Sequence, residues 1–166
     1  MKLSTSFLQH SLNSVACVLA LGFASTAMAV DLHQASELDR GGNSGNSATT
    51  HQQGHGNESI VLQSGFRNDS LTAQSGIGNR ALTLQSGVGN QARVLQSGGY
   101  LDATVAQYGH GHEANILQKG FGKEANVVQA GVQGRVDVMQ LNASRGAPVE
   151  IHQFSRGRAA IQVIQH

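Results

Sequence analysis

The 166-residue sequence predicts an all-β fold, a parallel β-solenoid (β-helix) of stacked strand-turn-strand coils with 22 residues to each coil. Three observations predict it. Glutamine recurs every eleven residues, at Gln52, Gln63, Gln74, Gln85, Gln96, Gln107, Gln118, Gln129 and Gln140. Glycine stands two residues after each of the first eight, at Gly54, Gly65, Gly76, Gly87, Gly98, Gly109, Gly120 and Gly131, and asparagine five after at Asn57, Asn68, Asn79 and Asn90, with Asn46 in the same phase ahead of them. Between the turns residues alternate, as in "ALTLQ" and "ARVLQ", with Ala81, Thr83 and Gln85 on one side and Leu82 and Leu84 on the other. A fixed short period marks units that cannot bury their faces singly and therefore stack. Alternation with period two is that of a strand.

An eleven-residue period is also 3.67 residues per helical turn, so a right-handed coiled coil is the rival reading. Glycine decides against it. Many repeats carry two, in "GIG", "GVG", "GHG" and "GFG", and each costs about 1 kcal/mol inside a helix. The pattern is therefore a strand of about five residues, a glycine-containing turn and another strand.

The elements follow in chain order. Residues 1–29 read as a signal peptide: Lys2 supplies the positive start, Val15 to Phe23 the apolar run and "AMA" the cleavage site, leaving a mature chain from Val30. The apolar run is much shorter than the roughly 20 residues of a spanning helix. Cys17 lies within it, so the mature chain has no disulfide to staple a thin core. Residues 30–45 form a flexible Gly/Ser/Asn-rich leader, and residues 46–166 the repeat region, roughly five to six coils with a height of ~25 Å at the cross-β spacing. Its last unit, residues 141–166, is degenerate and basic. "VEIHQ" resumes two residues out of phase after Pro148, a final strand sets Ile161, Val163 and Gln165 on one face, and Arg145, Arg156 and Arg158 supply charge.

Charge placement tells inside from outside. From Gln52 to Gln140, charges fall at turn positions (Arg67, Lys119, Lys123) or on the strand phase opposite glutamine, and never in the phase of glutamine, the small residue or the β-branched residue. An unpaired buried charge is costly, whereas a hydrogen-bonded amide is not, so that phase is the interior. The glutamines, with Gln153 and Gln165, are then placed to form a ladder of carboxamides. The asparagines can ladder likewise, and asparagine tolerates the left-handed backbone of a tight corner. Outward Leu62, Leu82, Leu84, Leu95 and Leu117 read either as partly buried side chains or as a stripe for lateral packing. "GHGHE", with His110 and His112, reads as ordinary turn residues, since an H-x-H pair without a third ligand is a weak metal signal. The "GxGN" turns precede strands where a phosphate loop would precede a helix. With Lys2 removed the basic residues balance the ten acidic ones, and nothing argues for a nucleic-acid partner. No catalytic residues, cofactor or metal site are expected, because no carboxylate cluster or nucleophile with a base recurs in one place.

The phrase "QSGVGNQARVLQ", residues 85–96, resembles the curlin repeat of bacterial curli fibre subunits, and the likeness covers the chain from about Asn46 onward. The resemblance implies an extracellular functional amyloid with a cross-β fibre. Its subunit is exported unfolded through the periplasm, crosses the outer membrane by a dedicated curli secretion pore with accessory factors, and polymerises at the cell surface as biofilm matrix and adhesive fibre. The partners implied are the major curli subunit, copies of the chain itself and the cell surface. The degenerate basic last unit resembles that of the minor, nucleating subunit; the major fibre subunit is the alternative. In another class, a monomeric secreted β-solenoid adhesin would be expected to carry a distinct cap at both ends, and irregularity is confined to one.

Overall fold

A computed structural model describes residues 45–141 and 146–166. The signal peptide, most of the leader and Arg145 lie outside the described residues. Nine strands lie among the described residues: β1 (Ser47–His55), β2 (Glu58–Phe66), β3 (Asp69–Ile77), β4 (Arg80–Val88), β5 (Gln91–Gly99), β6 (Asp102–His110), β7 (Glu113–Phe121), β8 (Glu124–Gln140) and β9 (Val149–Gln165). All pairings among the described residues are parallel; β1 to β6 each pair with the strand two places on, as in Gln52↔Gln74 and Gln63↔Gln85, whereas β7 pairs with β8 and β8 with β9 because those two long strands each run through both faces. One face stacks β1, β3, β5, β7, residues 135–140 of β8 and residues 159–165 of β9; the other stacks β2, β4, β6, residues 124–132 of β8 and residues 149–156 of β9. The chain thus winds through five coils of 22-residue period and closes with a half coil.

Inward positions alternate with outward ones along every strand. The core is a double column of small and β-branched side chains, from Ala81, Ala92 and Val94 through Ile116 and Val138 to Val149 and Ile151, with Ile161 and Val163 packed against its end. Parallel sheets that face one another across so narrow a space leave room for alanine and valine and not for aromatic rings, which is why the rings sit outside, at Phe66, Tyr100, Phe121 and Phe154.

Three expectations are corrected. The strands are nine residues long in the regular coils, not about five, because pairing continues past each glutamine through the glycine two residues on. That glycine is not the end of the strand but a kink within it, with φ between 104° and 137°. An added Cβ at Gly98 would overlap the carbonyl oxygen of Gly120 in the next coil, so close stacking itself demands glycine there. Second, the left-handed corner residue is not asparagine. It is the residue before it, at φ 53° to 67°: glycine at five corners, and Arg67, Tyr100 and Gln133 at the others. Third, Lys123 is not on a solvated turn: it is 2% exposed, in the phase that asparagine holds elsewhere.

The terminal unit departs from the motif where its sequence does. Gln129 pairs with Gln153 and Gln140 with Gln165, the extra residues being taken up by residues 141–148 and by a register shift between Val132 and Gly134. Gly131 faces Ser155, whose hydroxyl donates to the Val132 carbonyl at 2.8 Å.

Candidate functional site

The side chains that the repeat singles out stand in continuous columns along the stack. On the first face Gln52, Gln74, Gln96, Gln118, Gln140 and Gln165 are joined amide to amide, each Nε2 donating to the next Oε1 at 2.6 to 2.9 Å. On the second face Gln63, Gln85, Gln107, Gln129 and Gln153 are joined at 2.8 to 2.9 Å. From Gln63 to Gln153 each amide nitrogen also crosses the interior to a backbone carbonyl at the start of the facing strand. Gln74 reaches Glu58 O at 2.9 Å, Gln107 reaches Gln91 O at 2.9 Å and Gln118 reaches Asp102 O at 3.0 Å. A backbone carbonyl can only accept, so it fixes which end of each amide is nitrogen. The columns therefore have a direction, donating from the N-terminal coil toward the C-terminal one.

Asparagine does different work. Asn68, Asn79 and Asn90 are almost wholly buried. Asn68 Nδ2 donates to Ser64 O within its own turn and to Gly87 O one coil on, both at 3.1 Å, and its Oδ1 accepts the backbone N–H of Asn90 at 3.2 Å. One side chain thus closes its corner and ties it to the next. Asn46, Asn68 and Asn90 share one edge with His112 and Gly134; Asn57 and Asn79 share the other with Leu101 and Lys123. The sequence reading missed His112 and Lys123 as interior residues. The signal was present, since each lies five residues after a column glutamine.

The outward leucines divide between the faces. Leu95 and Leu117 adjoin on the first, and Leu62 and Leu84 on the second beside Leu82. All are half-buried except Leu62, at 59% exposure. Charges also stand outward and pair, between coils in Arg80 with Glu58 at 3.4 Å and Arg135 with Glu113 at 3.2 Å, and along one strand in Arg135 with Asp137 at 3.0 Å. Partial burial pulls the Asp137 carboxyl upward, but hydrogen bonds from Arg135 and Asn115 and the charge of Arg135 outweigh it and hold the group below the ordinary carboxylate value. His110 and His112 do not converge, since His110 is exposed and His112 buried. Among the described residues no three His, Cys, Asp or Glu side chains gather as a metal site requires.

The two ends differ. The first coil carries the full motif: Gln52 and Gln63, Gly54 at φ 110° and Gly65 at φ 104°, and corner residues Asn46 and Asn57. No described glutamine stands before Gln52 or Gln63, so their Oε1 atoms face the open end of each column. The last coil has Ser155 in the glycine column, no corner asparagine among its described residues, and exposed Arg156 and Arg158.

Residues 76–109, the turn of the second coil through the third, match the family model described as the curlin-associated repeat. This stretch carries a curlin-associated repeat. The same columns of glutamine and glycine run unbroken on either side of the matched stretch, from Gln52 to Gly131. Curlin repeats support a curli amyloid subunit, a family that self-assembles into fibres at the cell surface, and with the solenoid they point to a non-enzymatic protein. No curated protein and no solved structure matched the chain.

Proposed function

We propose that this curlin-repeat chain is the minor curli subunit, which nucleates fibre assembly at the bacterial surface by offering its first coil as a template to the major subunit. The observation that carries the reading is the unlikeness of the two ends. An exposed sheet edge recruits further strands unless it is blunted by charge, bulges or broken regularity. The first coil offers the outer edges of β1 and β2, which pair on one side only among the described residues and are in register with the motif, and the Oε1 acceptors of Gln52 and Gln63 suit an incoming coil whose amides point the same way. The last coil is blunted by Arg156 and Arg158 and by the missing glycine and asparagine, as gatekeeper residues blunt an aggregation-prone segment. A chain with one recruiting end starts fibres; a major subunit would need both ends able to recruit to propagate them.

In this reading the signal peptide and leader serve export through the curli secretion pore, and the basic last unit holds the subunit at acidic groups of the cell surface. The test is thioflavin fluorescence of a separately purified major curli subunit with and without a small amount of this chain. A lag shortened at low stoichiometry is expected. Rapid self-assembly with no effect on the partner would make this chain the major subunit, and a stable monomer with neither property would favour the adhesin class.

A further inference from the structure

We infer that His112 is a proton-sensitive latch between the fourth and fifth coils, closed by the neutral imidazole and opened when that ring takes up a proton. His112 replaces asparagine in its column and reproduces two of its bonds, the one within its own turn and the one to the backbone N–H of the next corner. Its Nε2 lies 3.2 Å from Tyr108 O, four residues back, where asparagine donates its amide N–H. Its Nδ1 lies 3.1 Å from the backbone N of Gly134, where asparagine offers Oδ1. A carbonyl only accepts and a backbone N–H only donates, so the two partners together dictate a single tautomer, Nε2–H with a bare Nδ1. The ring is 1% exposed and has no water to fall back on.

A protonated ring would turn Nδ1 into a donor aimed at the Gly134 N–H. The latch bond becomes a clash of two donors, and the Gly134 amide is orphaned in the interior. Opening the segment frees both partners to find other bonds, so a proton on Nδ1 favours the open state. Gly134 is where this matters most. It lies at the register shift of the β8–β9 pairing, and a Cβ there would collide with the Gln153 amide and approach His112 Nδ1. Asparagine could not follow His112 in this column, and the long ring reaches over the glycine in its place.

The charged groups around the ring do not take over this role. Glu113 and Asp137 are both held outside by Arg135, and Arg158 lines the same surface depression as Gly134. The preceding coil offers Asn90 and Gln91, and the last coil the neutral Gln153. Asp137 titrates in stronger acid than an imidazole, since its carboxyl is held below the ordinary value.

The experiment is hydrogen exchange of the assembled mature chain at about pH 7.5 and about pH 5, corrected for intrinsic rates, with His112→Asn beside it. The wild type should lose protection about tenfold or more in acid in peptides from residues 133–141 and 149–165, as a lost buried hydrogen bond implies, while residues 69–99 hold. His112→Asn, which restores the column's own residue, should keep protection at both values. A wild type whose loss is absent or uniform along the chain overturns the proposal, as does an equal loss in His112→Asn. If that variant does not assemble, the imidazole ¹⁵N spectrum of wild-type fibres decides: a bare Nδ1 and protonated Nε2 at neutral pH are expected, and the opposite tautomer or a cation overturns it.

Discussion

Coils one and two enclose hydroxyls where coils three to five enclose hydrocarbon. In the first two, Thr50 and Ser59 oxygens lie 3.3 Å apart, and the Ser70, Thr72 and Thr83 hydroxyls are buried without a partner. In the others the same positions hold Ala92, Val94, Ala103, Val105, Ala114, Ile116, Ala125, Val127, Val136 and Val138. Both regions share one backbone and one set of ladders, so they differ chiefly in how much apolar surface each coil buries. Each unpaired buried hydroxyl costs about 1–3 kcal/mol, and solenoid stability is close to a sum over neighbouring coils. The weaker half is the one with the regular, open end; the stronger half is the one whose end is blunted. A firm base and a loosely held, motif-perfect tip are what a template that must accept a partner requires.

Substitutions repeated in both halves test this difference. The largest effect is expected from the glycine column. Gly98→Ala places a Cβ on the Gly120 carbonyl at φ 137° and should cost about 3 kcal/mol or more, read as a collapse of denaturant resistance. Gly54→Ala meets the Gly76 carbonyl in the same way, yet should cost less, because the first coil can open alone. Next comes the amide ladder. Gln107→Leu strands the Gln85 and Gln129 amides and should cost about 2–4 kcal/mol, with slower assembly as the readout; Gln52→Leu strands only one and should cost about half.

Smaller effects run the other way. Thr72→Val and Thr83→Val keep shape and remove the unpaired hydroxyls, and each should stabilise the second coil by about 1 kcal/mol or more, seen as protection gained in peptides from residues 69–88. Gln133→Gly and Arg67→Gly relieve left-handed backbone, at φ 55° and 56°, and should each add about 0.5–1 kcal/mol. Least of all is acid at Asp137. A carboxyl whose value is depressed in the fold supports stability above its unfolded value, and that support is lost as pH falls through the folded one. Asp137→Asn should remove this step from the low-pH end of a stability profile.

The inward columns of the strands were legible because charge never enters them; Thr83, Gln85, Val94 and Gln96 are buried as their phase requires. What could not be read was which way a corner side chain turns. Phase put His112 and Lys123 with the asparagines, but residue type suggested solvent, and only the packing of one coil on the next decides between them. Asparagine's tolerance of left-handed backbone likewise pointed one residue too far along the chain, since Arg67, Tyr100 and Gln133 hide the glycine position that Gly56, Gly78 and Gly89 reveal. The end of the strand was hidden for the same reason: glycine at Gly98 answers to the Gly120 carbonyl, a neighbour 22 residues away.

The most direct measurement of the templating claim is the assembly lag of the major curli subunit seeded by two variants, each with a charge set into an inward position at one end. Thr50→Glu alters the first coil and Val163→Glu the last half coil. Thr50→Glu should return the lag to its unseeded length while Val163→Glu still shortens it. Equal seeding by both, or loss of seeding only with Val163→Glu, would contradict the account.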